Sequence, residues 1–213
     1  MILLPSICAA DQLSLGSEID KLNDWPFLHI DIEDGNFTPN ITFGLKTVKR
    51  ISQVAKDKCL DVHLMVTNPC DYLDCLAEFG VRMVTGHIEA LPYPMIFINK
   101  AHKLGLRAGL AMNIKTSIME IEPFFSIIDH ILVMTAEPDY CNEILFLPAL
   151  EKALSIVNMQ SCLVDVYIDG GLSLDTIRRS SEYKIKGAVL GRMIFKSNNP
   201  YERLMQINRD ING

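Results

Sequence analysis

FLHIDIEDGNFTPNITFGLKTVKRISQVAKDKCLDVHLMV, Phe27 to Val66, holds two short apolar runs, FLHIDI (27–32) and LDVHLMV (60–66). Between them Val48, Ile51, Val54 and Ala55 recur at the three- and four-residue spacing of one helix face. The stretch therefore reads as strand, helix, strand. Six further runs extend the pattern: LLPSI (3–7), RMVTGHI (82–88), LRAGLAM (106–112), HILVMT (130–135), VDVYID (164–169) and KGAVLG (186–191). Tyr72, Leu73, Leu76 and Phe79 repeat the helical spacing after the third run. Asn68-Pro69 and Asn199-Pro200 place proline where a first helical turn tolerates it. Eight β-α units with no break in composition predict a single (β/α)8 TIM barrel over residues 1–213, ringed by eight helices. A doubly wound open sheet is the alternative, but it calls for a glycine-rich turn after the first strand. That turn reads CAADQLS (8–14).

Composition narrows the function. The net charge of −6 disfavours a nucleic-acid partner, because phosphate contacts need clustered Lys and Arg. No apolar run approaches the ~20 residues that span a bilayer, so no membrane partner is expected. MILLPSICAA has small residues at its end but no Lys or Arg in front, and Pro5 interrupts it. It reads as a buried first strand rather than a signal. The six cysteines (8, 59, 70, 75, 141, 162) include no CxxC pair, and they read as reduced thiols of a cytoplasmic protein.

In such a barrel, polar residues at the C-terminal ends of strands are the catalytic candidates. His29 and Asp31 lie two apart and share a face, while Leu28, Ile30 and Ile32 face the helices. Glu33 follows them into the barrel mouth, whereas Asp34 has the other parity and reads as structural. The third strand ends DVHLM, with His63 two after Asp61. Asp169 ends the seventh, before Gly170 and Gly171. Singly, each has a plainer explanation: a satisfied buried pair for His29 and Asp31, a core histidine for His63, a turn residue for Asp169. Three polar strand ends at one mouth favour convergence of His29, Asp31, His63 and Asp169 on one divalent metal. Zinc, manganese, iron or cobalt suits such donors better than calcium. His102 reads as helix surface and His130 as the entrance end of strand six. Phosphate in such barrels sits on the loops after strands seven and eight, here Gly170-Gly171 and Gly191-Arg192.

With these residues in view, the sequence resembles the ribulose-phosphate 3-epimerases. The resemblance rests on PSI (5–7), HIDIEDGNFTPNITFG (29–44), LDVHLMV (60–66), HIEA (87–90), GLAMNIKT (109–116), LVMTAEP (132–138) and IDGGLS (168–173). It implies a metal held by His29, Asp31, His63 and Asp169, with Asp31 and Asp169 as the acid/base pair. It also implies substrate contacts from Ser6, Met65 and Met134, and a homo-oligomer. Two departures stand out. Glu33 stands where the family has methionine. It reads as a further ligand, a partner for Arg192, a contact that selects a different substrate, or a rim carboxylate in water. The family's glycine-rich loop after strand six is here DYCNEIL (Asp139–Leu145), in which Asp139 or Glu143 would repel an anion and Arg192 would compensate.

The function expected from the resemblance is inversion of C3 in a small-molecule ketose phosphate through a metal-stabilised enediolate. The default reaction is D-ribulose 5-phosphate to D-xylulose 5-phosphate. The alternatives are a six-carbon substrate such as allulose 6-phosphate, or a low-activity paralogue that binds sugar phosphate. Phosphate-binding barrels of tryptophan or pyrimidine synthesis rank last, since no strand-end lysine stands with the acidic pair.

Overall fold

A computed structural model describes residues 1–138, 144–159 and 164–212. Its strands are β1 (Ile2–Pro5), β2 (Phe27–Glu33), β3 (Cys59–Met65), β4 (Met83–His87), β5 (Arg107–Met112), β6 (His130–Met134), β7 (Asp165–Asp169) and β8 (Gly187–Leu190). All are parallel, in the order β1-β8-β7-β6-β5-β4-β3-β2. A parallel bridge from Ser6 to His29 joins the two ends of that order. The fold is the single (β/α)8 TIM barrel expected from the eight runs.

The helices are α1 (Leu15–Asp20), α2 (Leu45–Val54), α3 (Leu73–Glu78), α4 (Pro94–Lys103), α5 (Leu147–Asn158), α6 (Leu174–Glu182), α7 (Arg192–Phe195) and α8 (Pro200–Asn212). Their placement corrects the expectation of one helix per strand. Between β5 and β6 lie only two 3-10 turns, Ile118–Glu120 and Glu122–Phe124, while β8 is followed by both α7 and α8. Pro123 lacks the N–H that a continuous helix would need, so the segment breaks into short turns. No described helix is long and apolar enough to cross a membrane. Among the described residues, Cys59, Cys70 and Cys75 are free thiols.

Strand parity divides the core in two. Leu28, Ile30, Ile32, Val62 and Leu64 face outward and join Val48, Ile51, Leu73 and Leu76 of the helices in one buried cluster. Leu4, Met83, Ala111, Leu132, Tyr167 and Val189 form a smaller cluster inside the barrel. Strand glycines make that interior possible. A Cβ on Gly109 would fall 2.1 Å from His130 Nε2, and one on Gly187 would fall 2.4 Å from the Tyr167 ring.

His130 opens β6, as the sequence suggested, and its Nε2 lies 2.7 Å from the Thr85 hydroxyl. His102 sits on α4 with its side chain 43% exposed, 2.9 Å from Asp129. Burial pushes the His130 pKa down to about 4. In the unfolded chain it lies near 6.5, so between these values the unfolded state binds more protons and stability rises with pH. The contribution is present above roughly pH 6.5 and is lost as pH falls towards 4. It amounts to on the order of 3 kcal/mol. Urea unfolding of the wild-type protein and of His130→Gln at pH 7 and pH 4.5 should show a flatter pH dependence in the variant.

Candidate active site and metal centre

Strand register builds the centre. The β2–β3 pairing sets His29 beside Asp61 and Asp31 beside His63, and the β6–β7 pairing sets Met134 beside Asp169. The Ser6–His29 bridge brings β1 to the same level, where the Ser6 hydroxyl donates to Asp31 Oδ2 at 2.6 Å. His29 Nε2 is 3.0 Å and His63 Nδ1 3.2 Å from Asp31 Oδ1. His63 Nδ1 is also 3.8 Å from Asp169 Oδ2. One donor atom from each of His29, Asp31, His63 and Asp169 lies within 4.8 Å of all the others. A divalent ion with N and O ligands at ~2.0–2.2 Å fits between atoms so spaced.

The electrostatics point the same way. Burial would lower the pKa of His29, but the charges and hydrogen bonds of Asp31 and Asp61 raise it well above the ordinary value. Burial would raise the Asp31 carboxyl, but His29 and His63 hold it well below the usual carboxylate range. Buried carboxylates thus concentrate negative charge where the donors meet, and a cation there would be stabilised by them. His63 differs: burial pushes its pKa down to about 4, which keeps the ring neutral at pH 7 and able to offer a lone pair.

The cluster opens into a cavity of about 430 Å³, within the range of small-molecule sites. Ser6, Asp31, Met65, Met134 and Asp169 are among the residues that line it. Gly170, Gly171, Gly191 and Arg192 line it too, together with Glu137 and Lys196, which the sequence reading missed. Gly170 and Gly171 have φ of +109° and +66°. A Cβ on Gly170 would approach the Ala136 backbone N at 2.8 Å, and one on Gly171 the Leu145 backbone N at 2.5 Å. Both positions need glycine to pack the loop after β7 against the one after β6. Asp139 and Glu143, expected to trouble a phosphate, lie outside the described residues.

Glu33 is corrected in one respect. It extends β2 by one residue beyond the predicted run and pairs with Met65. At 3% exposure it is not a rim carboxylate in water but part of the cavity wall. It is also not among the clustered donors. Asp34 is structural, as parity suggested: it accepts from the backbone of Asn36, Phe37 and Thr67 and from the Thr67 hydroxyl.

Three further polar residues complete the surroundings. His29 Nδ1 meets Asp61 Oδ2 at 2.8 Å. His63 Nε2 meets His87 Nε2 at 2.8 Å, and His87 Nδ1 meets Glu89 Oε2 at 3.0 Å. Burial would raise the Glu89 carboxyl, but His87, Thr116 and Asn113 bring it down to about 2. A signal for these residues was present. Asp61 shares the face of His63, and HIEA (87–90), which starts at the last residue of β4, has the same two-residue spacing as His29 and Asp31.

Comparison with known proteins agrees with this geometry. A sequence model described as the ribulose-phosphate 3 epimerase family matches residues 2–195. Ribulose-phosphate 3-epimerase of Schizosaccharomyces pombe is 32% identical over 97% of this chain and 92% of its own. The cytoplasmic isoform of Oryza sativa is 31% identical over 98% of this chain and 93% of its own. Among solved structures, 3-hexulose-6-phosphate synthase from Salmonella typhimurium superposes with a TM-score of 0.76, covering 100% of this chain and 99% of that one. KGPDC from Streptococcus mutans, in complex with D-R5P, superposes with a TM-score of 0.75, covering 99% and 96%. These two are 14% and 13% identical and speak to the fold alone. The match across residues 2–195 and the near full-length relatives place the chain in the ribulose-phosphate 3-epimerase family.

Proposed function

We propose that the protein inverts C3 of a ketose phosphate, with D-ribulose 5-phosphate and D-xylulose 5-phosphate as the pair interconverted. The observation that carries this reading is the presence of two carboxylates, Asp31 and Asp169, in one cavity with a four-donor cluster. Inversion next to a carbonyl removes a proton from one face of C3 and returns one to the other, so it needs two acid/base groups. Asp31 comes from β2 and Asp169 from β7, with β8 and β1 between them in the sheet. In the forward direction one carboxylate accepts the C3 proton and the other, protonated, donates to the opposite face of the enediolate. The roles exchange in reverse.

His29, Asp31, His63 and Asp169 would hold a divalent cation, zinc, manganese, iron or cobalt, which when bound supplies Lewis-acid polarisation of the ketose oxygens. Ser6 steadies Asp31 through its hydroxyl. Met65 and Met134, both buried, give the reacting carbons an apolar floor that excludes water. The phosphate would lie against Arg192 and Lys196, which supply positive charge, with Gly170, Gly171 and Gly191 letting the backbone approach.

Glu33 favours one second reading. A buried carboxylate in the wall can accept a hydrogen bond from an additional hydroxyl. A six-carbon ketose phosphate such as allulose 6-phosphate has one more hydroxyl to offer. Steady-state kinetics on pentulose phosphates, hexulose phosphates and the unphosphorylated ketoses separates these possibilities. The proposal expects the highest kcat/KM with ribulose 5-phosphate and a large loss without phosphate. A preference for hexulose phosphate that Glu33→Met abolishes would establish the second reading. Equal rates with and without phosphate would overturn the substrate class.

A further inference from the structure

A polar chain leads from the four-residue cluster through buried histidines to a carboxylate nearer the surface. It runs from His63 to His87 to Glu89. We propose that His87 and Glu89 are positioning residues that fix the ring orientation and tautomer of His63, so that its Nδ1 presents a lone pair to the cation. This inference rests on the reading that the cluster holds a divalent metal.

The proton positions follow from the distances. His63 Nδ1 is the nitrogen turned towards the cluster, 3.2 Å from Asp31 Oδ1 and 3.8 Å from Asp169 Oδ2. A neutral imidazole that ligates through Nδ1 carries its proton on Nε2. That nitrogen lies 2.8 Å from His87 Nε2, close enough for a hydrogen bond but with room for only one proton. His63 Nε2–H must then donate, and His87 Nε2 must accept. Neutral His87 carries its own proton on Nδ1, which donates to Glu89 Oε2 at 3.0 Å. Reversing the chain would turn the lone pair of His87 Nδ1 towards a carboxylate, which is repulsive. The charge on Glu89 therefore sets the direction of both bonds.

Geometry and anchoring support the same reading. The two imidazole planes are within 24° of each other and their centroids are 4.9 Å apart. With ring nitrogens 2.8 Å apart, the rings meet edge to edge, the arrangement an N–H···N bond requires. The Phe37 ring packs on His87 with centroids 4.7 Å apart. Glu89 Oε1 accepts from the Asn113 backbone at 2.8 Å and from the Thr116 hydroxyl. Lys152 Nζ clamps that same loop by donating to the carbonyls of Asn113 and Ile114 at 3.0 Å and Thr116 at 2.8 Å. The far end of the chain is thus tied to the framework. His29 receives the equivalent support directly, from Asp61 at 2.8 Å. Such outer partners set ligand orientation and basicity, and their loss typically costs about 10–100-fold in metal affinity.

The test uses the full-length protein stripped of metal and titrated with cobalt(II) against a chromophoric chelator. His87→Phe, which leaves His63 Nε2–H without an acceptor, should weaken binding about 10–100-fold. Glu89→Gln should weaken it about tenfold. The double variant should be no weaker than His87→Phe, because both act through one chain. His87→Gln, whose side-chain oxygen can accept from His63, should recover most of the loss. In the zinc-loaded wild-type protein, 15N NMR should find the proton of His63 on Nε2 and that of His87 on Nδ1. If His87→Phe fails to fold, Glu89→Gln and the NMR assignment still decide. Wild-type affinity in Glu89→Gln, or a His63 proton on Nδ1 in the zinc-loaded protein, overturns the inference and leaves the metal reading standing. Failure of the wild-type protein to bind either metal overturns both.

Discussion

Asp169→Asn is expected to lower kcat/KM for C3 inversion by about 10²–10⁴, the usual worth of a positioned acid/base group. The carboxamide has nearly the shape of the carboxylate but cannot accept the proton. The Asp169 side chain is 16% exposed at the end of β7, so the substitution should leave the barrel folded. The informative signature is stereochemical. With Asp169 disabled, Asp31 can still remove and return a proton on its own face. One epimer should exchange its C3 proton with solvent without being inverted. Asp31→Asn should show the complementary pattern, and both variants should bind the metal more weakly, since Asp31 and Asp169 are both among the four donors. A coupled assay for inversion, run beside deuterium exchange followed by NMR, checks both. Full inversion by either variant would remove that residue from the acid/base role.

Removal of divalent cations should produce the second large effect. If Lewis-acid polarisation is worth several kcal/mol, its loss lowers the rate by about 10²–10⁴. Stability should change with it. A ligand present at 100 times its Kd stabilises the fold by about 2.7 kcal/mol. The metal-free protein also keeps Asp31 and Asp169 close together in a largely buried site. Dialysis against a chelator should therefore lower Tm and activity together, and added zinc, manganese, iron or cobalt should restore both. Undiminished activity after exhaustive chelation would show that the cluster serves some other purpose.

The barrel and the centre of its site were legible in the sequence because both follow from strand parity. A run such as FLHIDI faces helices with Leu28, Ile30 and Ile32, so His29 and Asp31 have only the barrel interior left. His63 and Asp169 follow by the same rule, and the parallel register brings all four together. Asp61 and His87 share the inward parity and Glu89 follows β4 in a 3-10 turn, but their roles depend on which nitrogen of a nearby histidine they face. That is decided by three-dimensional packing. Lys196 caps the C-terminus of α7 after β8, where strand parity no longer applies, so only the folded cavity wall reveals it. The missing helix between β5 and β6 was also hard to read. Ile118, Ile121 and Phe125 keep a helical spacing, yet Pro123 breaks it. Parity also took Glu33 into the barrel mouth; of the readings open for it, only the rim carboxylate in water falls, because β2 runs on through it and buries it.

The most direct test of the central claim is NMR of ribulose 5-phosphate in D2O with the metal-loaded wild-type protein. Deuterium should enter at C3, xylulose 5-phosphate should accumulate to equilibrium, and both should stop in Asp169→Asn except for exchange without inversion in one epimer. Absence of C3 exchange with every one of zinc, manganese, iron and cobalt, or inversion without solvent exchange at C3, would contradict it.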